Sequence, residues 1–400
     1  MNSMSRASLV LACLASSSLA LAACSDDGAG ESSDDTGTGA DEVDTSGEST
    51  GEGTTGEDTS DTTSADTSSE STDSDDTSSE DDTTDTGGGE LPACAGYFPA
   101  DAVWCRDVTE AATTADSDTV IAWLEEAGWG NGDKFQIDFS IKTLEADADT
   151  PRVAFATNNA FWTPDCDWAE MPIPEGGAIE GNEGYACENN GDCHLLVAAR
   201  DEGILYEMFR ANIVDGEFDG GCLAIWDMNQ VYDDDGRGQG CTSADAAGFP
   251  MAPLLFDADE VASGSIDHAI RFILPNDNIR HHMYSAPATH STNATDGPDQ
   301  APPYGVHLRL RADYPVDTLP SEGAKVVARA LQKYGMFLAD GGQIALTAES
   351  DQFTENKWDG LLTPHDLLDL RPMDFAVIDH GELMDWGEVD CSRTPIGTPP

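Results

Sequence analysis

The chain has 400 residues, with 77 Asp and Glu against 18 Lys and Arg, and a formal net charge of −59 at pH 7. A field of that sign makes nucleic acid and anionic membrane surfaces poor partners. The length is ample for a full core, as one large domain or two closely joined, and no internal repeat is visible.

At the amino end, Arg6 precedes an apolar, small-residue run over 7–23. The run is too short, and too soon followed by polar sequence, to span a membrane as a stable helix, so residues 1–23 read as a secretory signal. It ends Leu21-Ala22-Ala23-Cys24, which resembles the lipobox of bacterial lipoproteins. The resemblance implies cleavage before Cys24, lipidation of its thiol, and anchoring of an exported protein to a lipid bilayer. Ser25 in the next position suits the outer membrane or cell surface.

Residues 24–90 are predicted to be a disordered stalk. After Cys24 the stretch holds no aromatic residue, no Lys or Arg, and one large aliphatic, Val43. It cannot bury enough apolar surface to offset the entropy of ordering. Its 23 acidic residues repel one another. That should extend it beyond the roughly 45 Å of a flexible chain of this length. With these acids and Arg6 set aside, residues 91–400 keep 54 acidic against 17 basic residues, about −37.

Eight cysteines remain in that part: Cys94, Cys105, Cys166, Cys187, Cys193, Cys222, Cys241 and Cys391. An even number in an oxidising compartment predicts four disulfides. Short spacings favour Cys187 with Cys193 and Cys222 with Cys241, while Cys94 or Cys105 could tie to Cys391. No paired CxxC or HxxxH spacing suggests zinc, and no cofactor or metal is implied.

In chain order, a helix is expected over 117–127, capped by Ser117 and ended by Gly128, then an alternating strand over 135–141. Phe161, Trp162 and Trp168 fall in a turn-rich stretch, as core or as a surface for stacking on sugars. Residues 194–209 read as a hairpin, followed by a strand over 222–228. Glu207 alternates onto the apolar face of Leu205 and Phe209, where burial would raise its pKa and suit it to proton donation. Asp233, Asp234 and Asp235 form a dense oxygen cluster that suits a solvated turn or calcium.

The segment over 241–274 carries the densest unusual chemistry. Asp245 sits among small residues, and Pro250 and Pro253 make the following apolar run an extended, buried connector. Asp257 or Asp259 caps a short helix ended by Gly264, and residues 266–274 alternate as a strand with His268 on the apolar face. Burial would keep His268 neutral, as a core residue or a base. A strand over 306–313 sets His307, Arg309 and Arg311 on one side, a basic stripe suited to an anionic substrate such as a uronic acid or to ion pairing. Ser321 caps a further helix, followed by a strand into Asp340.

At SADAAG (243–248), IDHAIRF (266–272), PATHST (287–292) and KYGMFLAD (333–340) the chain resembles a family of secreted proteins of actinobacteria and myxobacteria, some of which travel with carbohydrate-binding modules. The resemblance runs over about 194–347 and implies polysaccharide as ligand or substrate. Its motif positions make Asp245, His268, His290 and Asp340 candidates, and the hairpin adds His194 and Glu207. Within 91–400 there is no GxSxG, HExxH, GxxxxGK[ST] or GxGxxG.

The expected architecture is mainly β with a few helices, a twisted β-sandwich stiffened by disulfides. The function expected first is a polysaccharide-active hydrolase or lyase using carboxylate and histidine acid–base chemistry, with Asp245, His268, Glu207 and His290 as catalytic candidates and His307, Arg309 and Arg311 as substrate-binding ones. Against it stand a non-catalytic glycan-binding protein and a structural component of the envelope. The sequence does not indicate an oligomeric state.

Overall fold

The computed structural model describes residues 94–400 apart from 189–190 and 379–380. The expected signal over 1–23, the lipid-bearing Cys24 and the stalk over 24–90 lie outside the described residues. The chain is mainly strands with three α-helices among the described residues: α1 (Ser117–Ala127), α2 (Ala258–Ser263) and α3 (Glu322–Lys333). None of them is long and apolar enough to cross a membrane.

Ten strands make the two principal sheets: β1 (Ile137–Ile141), β2 (Thr143–Ala146), β3 (Leu195–Ala199), β4 (Ile204–Met208), β5 (Leu223–Asp227), β6 (Ile270–Leu274), β7 (His307–Leu310), β8 (Met336–Gly341), β9 (Leu346–Glu349) and β10 (Phe375–Val377). The larger sheet has the order β1-β9-β6-β8-β7-β10, with β1 parallel to β9 and β6 parallel to β8. The smaller has the order β5-β4-β3-β2, with β2 parallel to β3. A single residue, Lys142, separates β1 in one sheet from β2 in the other. The chain therefore switches sheets there within one step.

Alternation explains the layering. On β4, Leu205 faces the main core shared with the larger sheet, while Tyr206 and Met208 face a second cluster with Phe155, Met171 and Phe218. Both faces of the smaller sheet are covered, which is why all five residues of β3 are buried and read as a continuous apolar run. Beyond the larger sheet, Trp129 meets Phe375 edge to face and both rings pack at a tilt against Phe135, and α1 lies against β10 and buries Val120, Ile121 and Leu124.

Between the sheets runs the connector over 241–256, buried throughout. One correction to the expected elements concerns the strand that comes after it. The strand expected over 266–274 begins only at Ile270, because Ala269 is claimed by a loop, its N–H donating to the Trp104 carbonyl. His268 thus precedes the strand. The helix after the connector forms as expected, Asp257 accepting from the Glu260 N–H and the Glu260 side chain accepting from the Asp257 N–H.

Four disulfides are present: Cys94–Cys105, Cys166–Cys222, Cys187–Cys193 and Cys241–Cys391. The expected local pair at 187 and 193 forms; the expected Cys222–Cys241 bond and a Cys391 bond to Cys94 or Cys105 do not. A β-bridge between Asp167 and Leu223 brings Cys166 beside Cys222. Gly240 lies against the backbone of 389–391, so closely that a Cβ there would sit 2.9 Å from the Val389 carbonyl, and this sets Cys241 opposite Cys391. Separations along the chain could not reveal either neighbour.

Candidate functional site

Two of the expected site residues, Asp245 and Asp340, meet at one buried guanidinium, that of Arg271. Arg271 points from β6 toward the connector, its Nη2 2.8 Å and Nε 3.2 Å from the two Asp245 oxygens and its Nη1 3.1 Å from Thr347 Oγ1. Asp340 Oδ2 lies 3.3 Å from Nη2. A bulge in the β6–β8 pairing makes this possible: Phe272 pairs with Leu338, but Ile273 pairs with Asp340, leaving Ala339 as the extra residue. Regular alternation would set Asp340 on the face of Leu338, two residues earlier; the inserted residue sets it on the face of Arg271 instead.

The charges in this cluster are mutually determined. Burial disfavours the Arg271 cation, but Asp245 and Asp340 outweigh it and hold its pKa above the ordinary value. Burial raises Asp340 to about 7, with the Asp245 charge adding and Arg271 opposing. His194 donates from Nδ1 to Glu180 at 2.6 Å and from Nε2 to the Ala244 carbonyl at 3.0 Å. Burial works against its charge, yet Glu180 prevails and lifts it to about 9. Access to solvent is small: the Asp340 side chain is 24% exposed, Glu180 16%, and Asp245 not at all.

Glu207 and His290 are separately occupied. Glu207 Oε1 accepts from the Met251 and Ala252 N–H groups, both at 2.8 Å, and Oε2 accepts from Trp226 Nε1 at 3.0 Å. It fastens the smaller sheet to the connector, and burial raises its pKa to about 7 against those hydrogen bonds. His290 Nδ1 meets the Ala246 carbonyl at 2.7 Å, and burial lowers it to about 4. The expected basic stripe is engaged with the rest of the chain, although Arg311 stays exposed. His307 stacks on Phe337 and meets the Tyr334 carbonyl, Arg309 donates to the carbonyls of Val108, Thr109 and Ala111, and Arg311 donates to that of Met373. In the 233–235 turn, Asp233 accepts from the Asp235 N–H, and among the described residues no group of three His, Cys, Asp or Glu is placed to hold a metal ion.

His268 lines a cavity of about 580 Å³ at the place where β2 departs from β1. That volume lies in the ordinary range for small-molecule sites, about 300–1,000 Å³. Its wall is assembled from distant elements: Tyr97 from the loop closed by Cys94–Cys105, Thr143 and Glu145 from β2, Arg200 from the β3–β4 turn, Glu260 from α2, and Glu349 from the end of β9. Phe353, 46% exposed, stands among the lining residues.

Glu349 is the chemically distinctive member. Thr143 Oγ1 donates to its Oε1. Burial raises its carboxyl to about 8, and the nearby charges of Asp257, Glu260 and Glu145 push the same way. Opposite in character is Glu260, whose oxygens lie 3.2 and 3.4 Å from His268 Nε2. His268 Nδ1 meets the Ala269 carbonyl at 2.8 Å, so both ring nitrogens have acceptors. Burial alone would depress this histidine, as expected from sequence, but Glu260 holds its pKa above the ordinary value. Glu260 thus favours the cationic form of His268 over the neutral base expected from burial alone.

On the remaining wall, Arg200 donates to both Glu145 oxygens at 2.7–3.1 Å, and its guanidinium lies 4.6 Å from the Tyr97 ring centroid. Burial raises the Tyr97 phenol well above its usual value, so it stays protonated at neutral pH. The arrangement supplies one carboxylic acid, one carboxylate in an ion pair, and a phenol around a solvent-filled space.

Sequence reading passed over Tyr97, Thr143, Glu145, Arg200, Glu260 and Glu349. A signal existed for one: Thr347 and Glu349 alternate with the buried Leu346 and Ala348 along β9, placing a carboxyl on a partly apolar strand. Searches against protein-family models, curated proteins and solved structures return no match for this chain.

Two outcomes test this geometry. Replacing Arg271 by Met leaves Asp245 buried without its partner and is expected to cost about 3–5 kcal/mol in urea unfolding; the double change Arg271→Met with Asp245→Leu should recover much of it. Glu349 has a folded pKa of about 8 against 4.5 for the free side chain. The folded state then holds more protons across that window, so its contribution is complete below about pH 4.5 and is lost as pH rises through 8. Thermal melts of Glu349→Gln should fall less steeply between pH 5 and 8 than those of the wild type, and parallel curves would count against the raised value.

Proposed function

We propose that this is an exported, lipid-anchored protein of the cell envelope that hydrolyses polysaccharide in the cavity between β2 and the end of β9. The observation that carries the reading is the pairing of unlike carboxyls: Glu349 raised to about 8 and Glu260 in an ion pair with His268, both lining one cavity. Glycosidic cleavage needs two carboxyls in different roles, one to protonate the leaving oxygen and one to act on the opposite side of the sugar.

In this mechanism Glu349 is the general acid. Thr143 occupies Oε1 and leaves Oε2 to carry the proton to the glycosidic oxygen. Glu260, side chain 29% exposed, either activates water or attacks the anomeric carbon, and His268 orients it from behind. Tyr97 and Thr143 offer hydroxyls to sugar oxygens, and Phe353 offers an apolar face for a pyranose ring. The resemblance of the 194–347 region to secreted proteins that accompany carbohydrate-binding modules points to the same substrate class. The lipobox-like Leu21-Ala22-Ala23-Cys24 and the acidic stretch behind it would hold the domain away from the bilayer.

A second reading, a glycan-binding protein without turnover, is favoured by the exposed Phe353 beside the cavity. Reducing-end release from a panel of neutral, acidic and amino-sugar polysaccharides separates the two. Hydrolysis is expected, with kcat falling about 10²–10⁴-fold in Glu349→Gln and the wild-type rate declining as pH rises through 8. Binding with no release by the wild type would establish the second reading, and neither binding nor release would defeat both.

The anchor is tested separately. Cys24→Ala should move the protein from the membrane fraction to the soluble one, and unchanged partition would refute lipidation at that residue.

A further inference from the structure

The charge of the cavity wall narrows the substrate class. Six carboxyl groups line it, those of Glu145, Glu175, Asp257, Asp259, Glu260 and Glu349, against one guanidinium and one imidazole. Both cations are already engaged: Arg200 grips Glu145 through Nε and Nη2, and His268 pairs with Glu260. Asp257 and Asp259 accept hydrogen bonds from neutral donors, the Glu260 N–H for the first and the Glu355 and Asn356 amides for the second, while His268 and Lys357 act on them through charge alone.

No cation remains on this wall to receive a uronate, and the basic stripe that might have done so is bound to backbone carbonyls. A uronic acid polymer would bring like charge into a partly buried space. A protonated amine has the opposite relation to every acidic group named. The acids of Glu145, Asp257, Asp259 and Glu260, with the hydroxyls of Tyr97 and Thr143 on the same wall, offer oxygens to an ammonium for charge-assisted hydrogen bonds.

We infer that the cavity takes an amino-sugar glycan with free amines, in preference to neutral, N-acetylated or uronic chains. This rests on the polysaccharide reading of the same cavity. It goes beyond that reading in naming the charge of the substrate. Near neutral pH the incoming ammonium would also favour ionisation of Glu349, so hydrolysis of such a chain requires the amine to sit in a ring beside the one being protonated. Phe353 then faces the apolar side of a neighbouring ring, while the amine meets the acidic wall.

Calorimetric titration of the full chain with a tetramer of glucosamine, its fully N-acetylated counterpart and a galacturonate tetramer tests the inference at pH 6. The free-amine tetramer is expected to bind at least about tenfold more tightly than the acetylated one, with no binding of the uronate. The preference should shrink in Asp259→Asn and in Glu145→Gln, whose side chain is 56% exposed. It should persist in Asp149→Asn, an exposed acid that does not line the cavity.

Equal or weaker binding of the free-amine tetramer overturns the inference. So does a preference that both cavity variants leave intact, which would trace it to the general negative field of the domain. Reducing-end release by the same tetramers distinguishes the two ideas. Tight binding of the amine without cleavage keeps the ligand class and defeats hydrolysis; cleavage of neutral chains with no amine preference does the reverse.

Discussion

The contact between Arg271 and Asp245 sets the relation among the three layers of the domain. A guanidinium sealed between sheets carries a desolvation cost of several kcal/mol unless an anion meets it with good geometry, and Asp245 does so at 2.8 and 3.2 Å. Because Asp245 belongs to the connector, the pair fixes that segment against β6. The connector then holds the smaller sheet through Glu207, which accepts two of its N–H groups, and holds the segment over 289–290, whose amides donate to the Ala247 carbonyl. The conformation of the middle of the chain follows from one charge pair and the polar groups it brings into line.

The cavity is the counterpart of that tight centre. β1 and β2 lie on either side of Lys142 but belong to different sheets, so the strand pairing that closes the interior elsewhere is interrupted there. Lys142 spans the gap by donating to the Ile179 carbonyl. The space left open is walled by side chains from a disulfide-closed loop, a hairpin turn, a short helix and the end of β9. Such a junction gathers groups that no secondary element could present together, as binding sites at breaks in sheet pairing generally do.

Acidity has different consequences in these surroundings. Exposed carboxyls on the surface give the domain its negative field, whereas burial at Glu349, Asp340 and Glu207 favours the protonated form, to about 8, 7 and 7. Two of the three are tied into structural contacts. Glu349 faces a cavity, and that difference of access makes it the centre of the proposed chemistry.

Local pattern determined much of the architecture: the mainly β character, the hairpin over 194–209, the capping of α2 by Asp257 and the 187–193 disulfide are set by alternation, short spacing and turn residues. These depend on neighbours close in sequence. The candidates Asp245, Asp340 and His194 also stood out by residue type, and the fold does bring them to one place. What tertiary structure alone decided was their partner and role: Arg271 lay unremarked inside IDHAIRF, and Asp340 reaches it only through a bulge that alternation would not predict. Glu349, Tyr97 and Arg200 meet from positions more than 100 residues apart or nearly so, and a carboxyl becomes a candidate acid only when such distant neighbours exclude water from it. Sequence supplied the charges; burial, which is a property of the assembled layers, fixed which of them keep a proton.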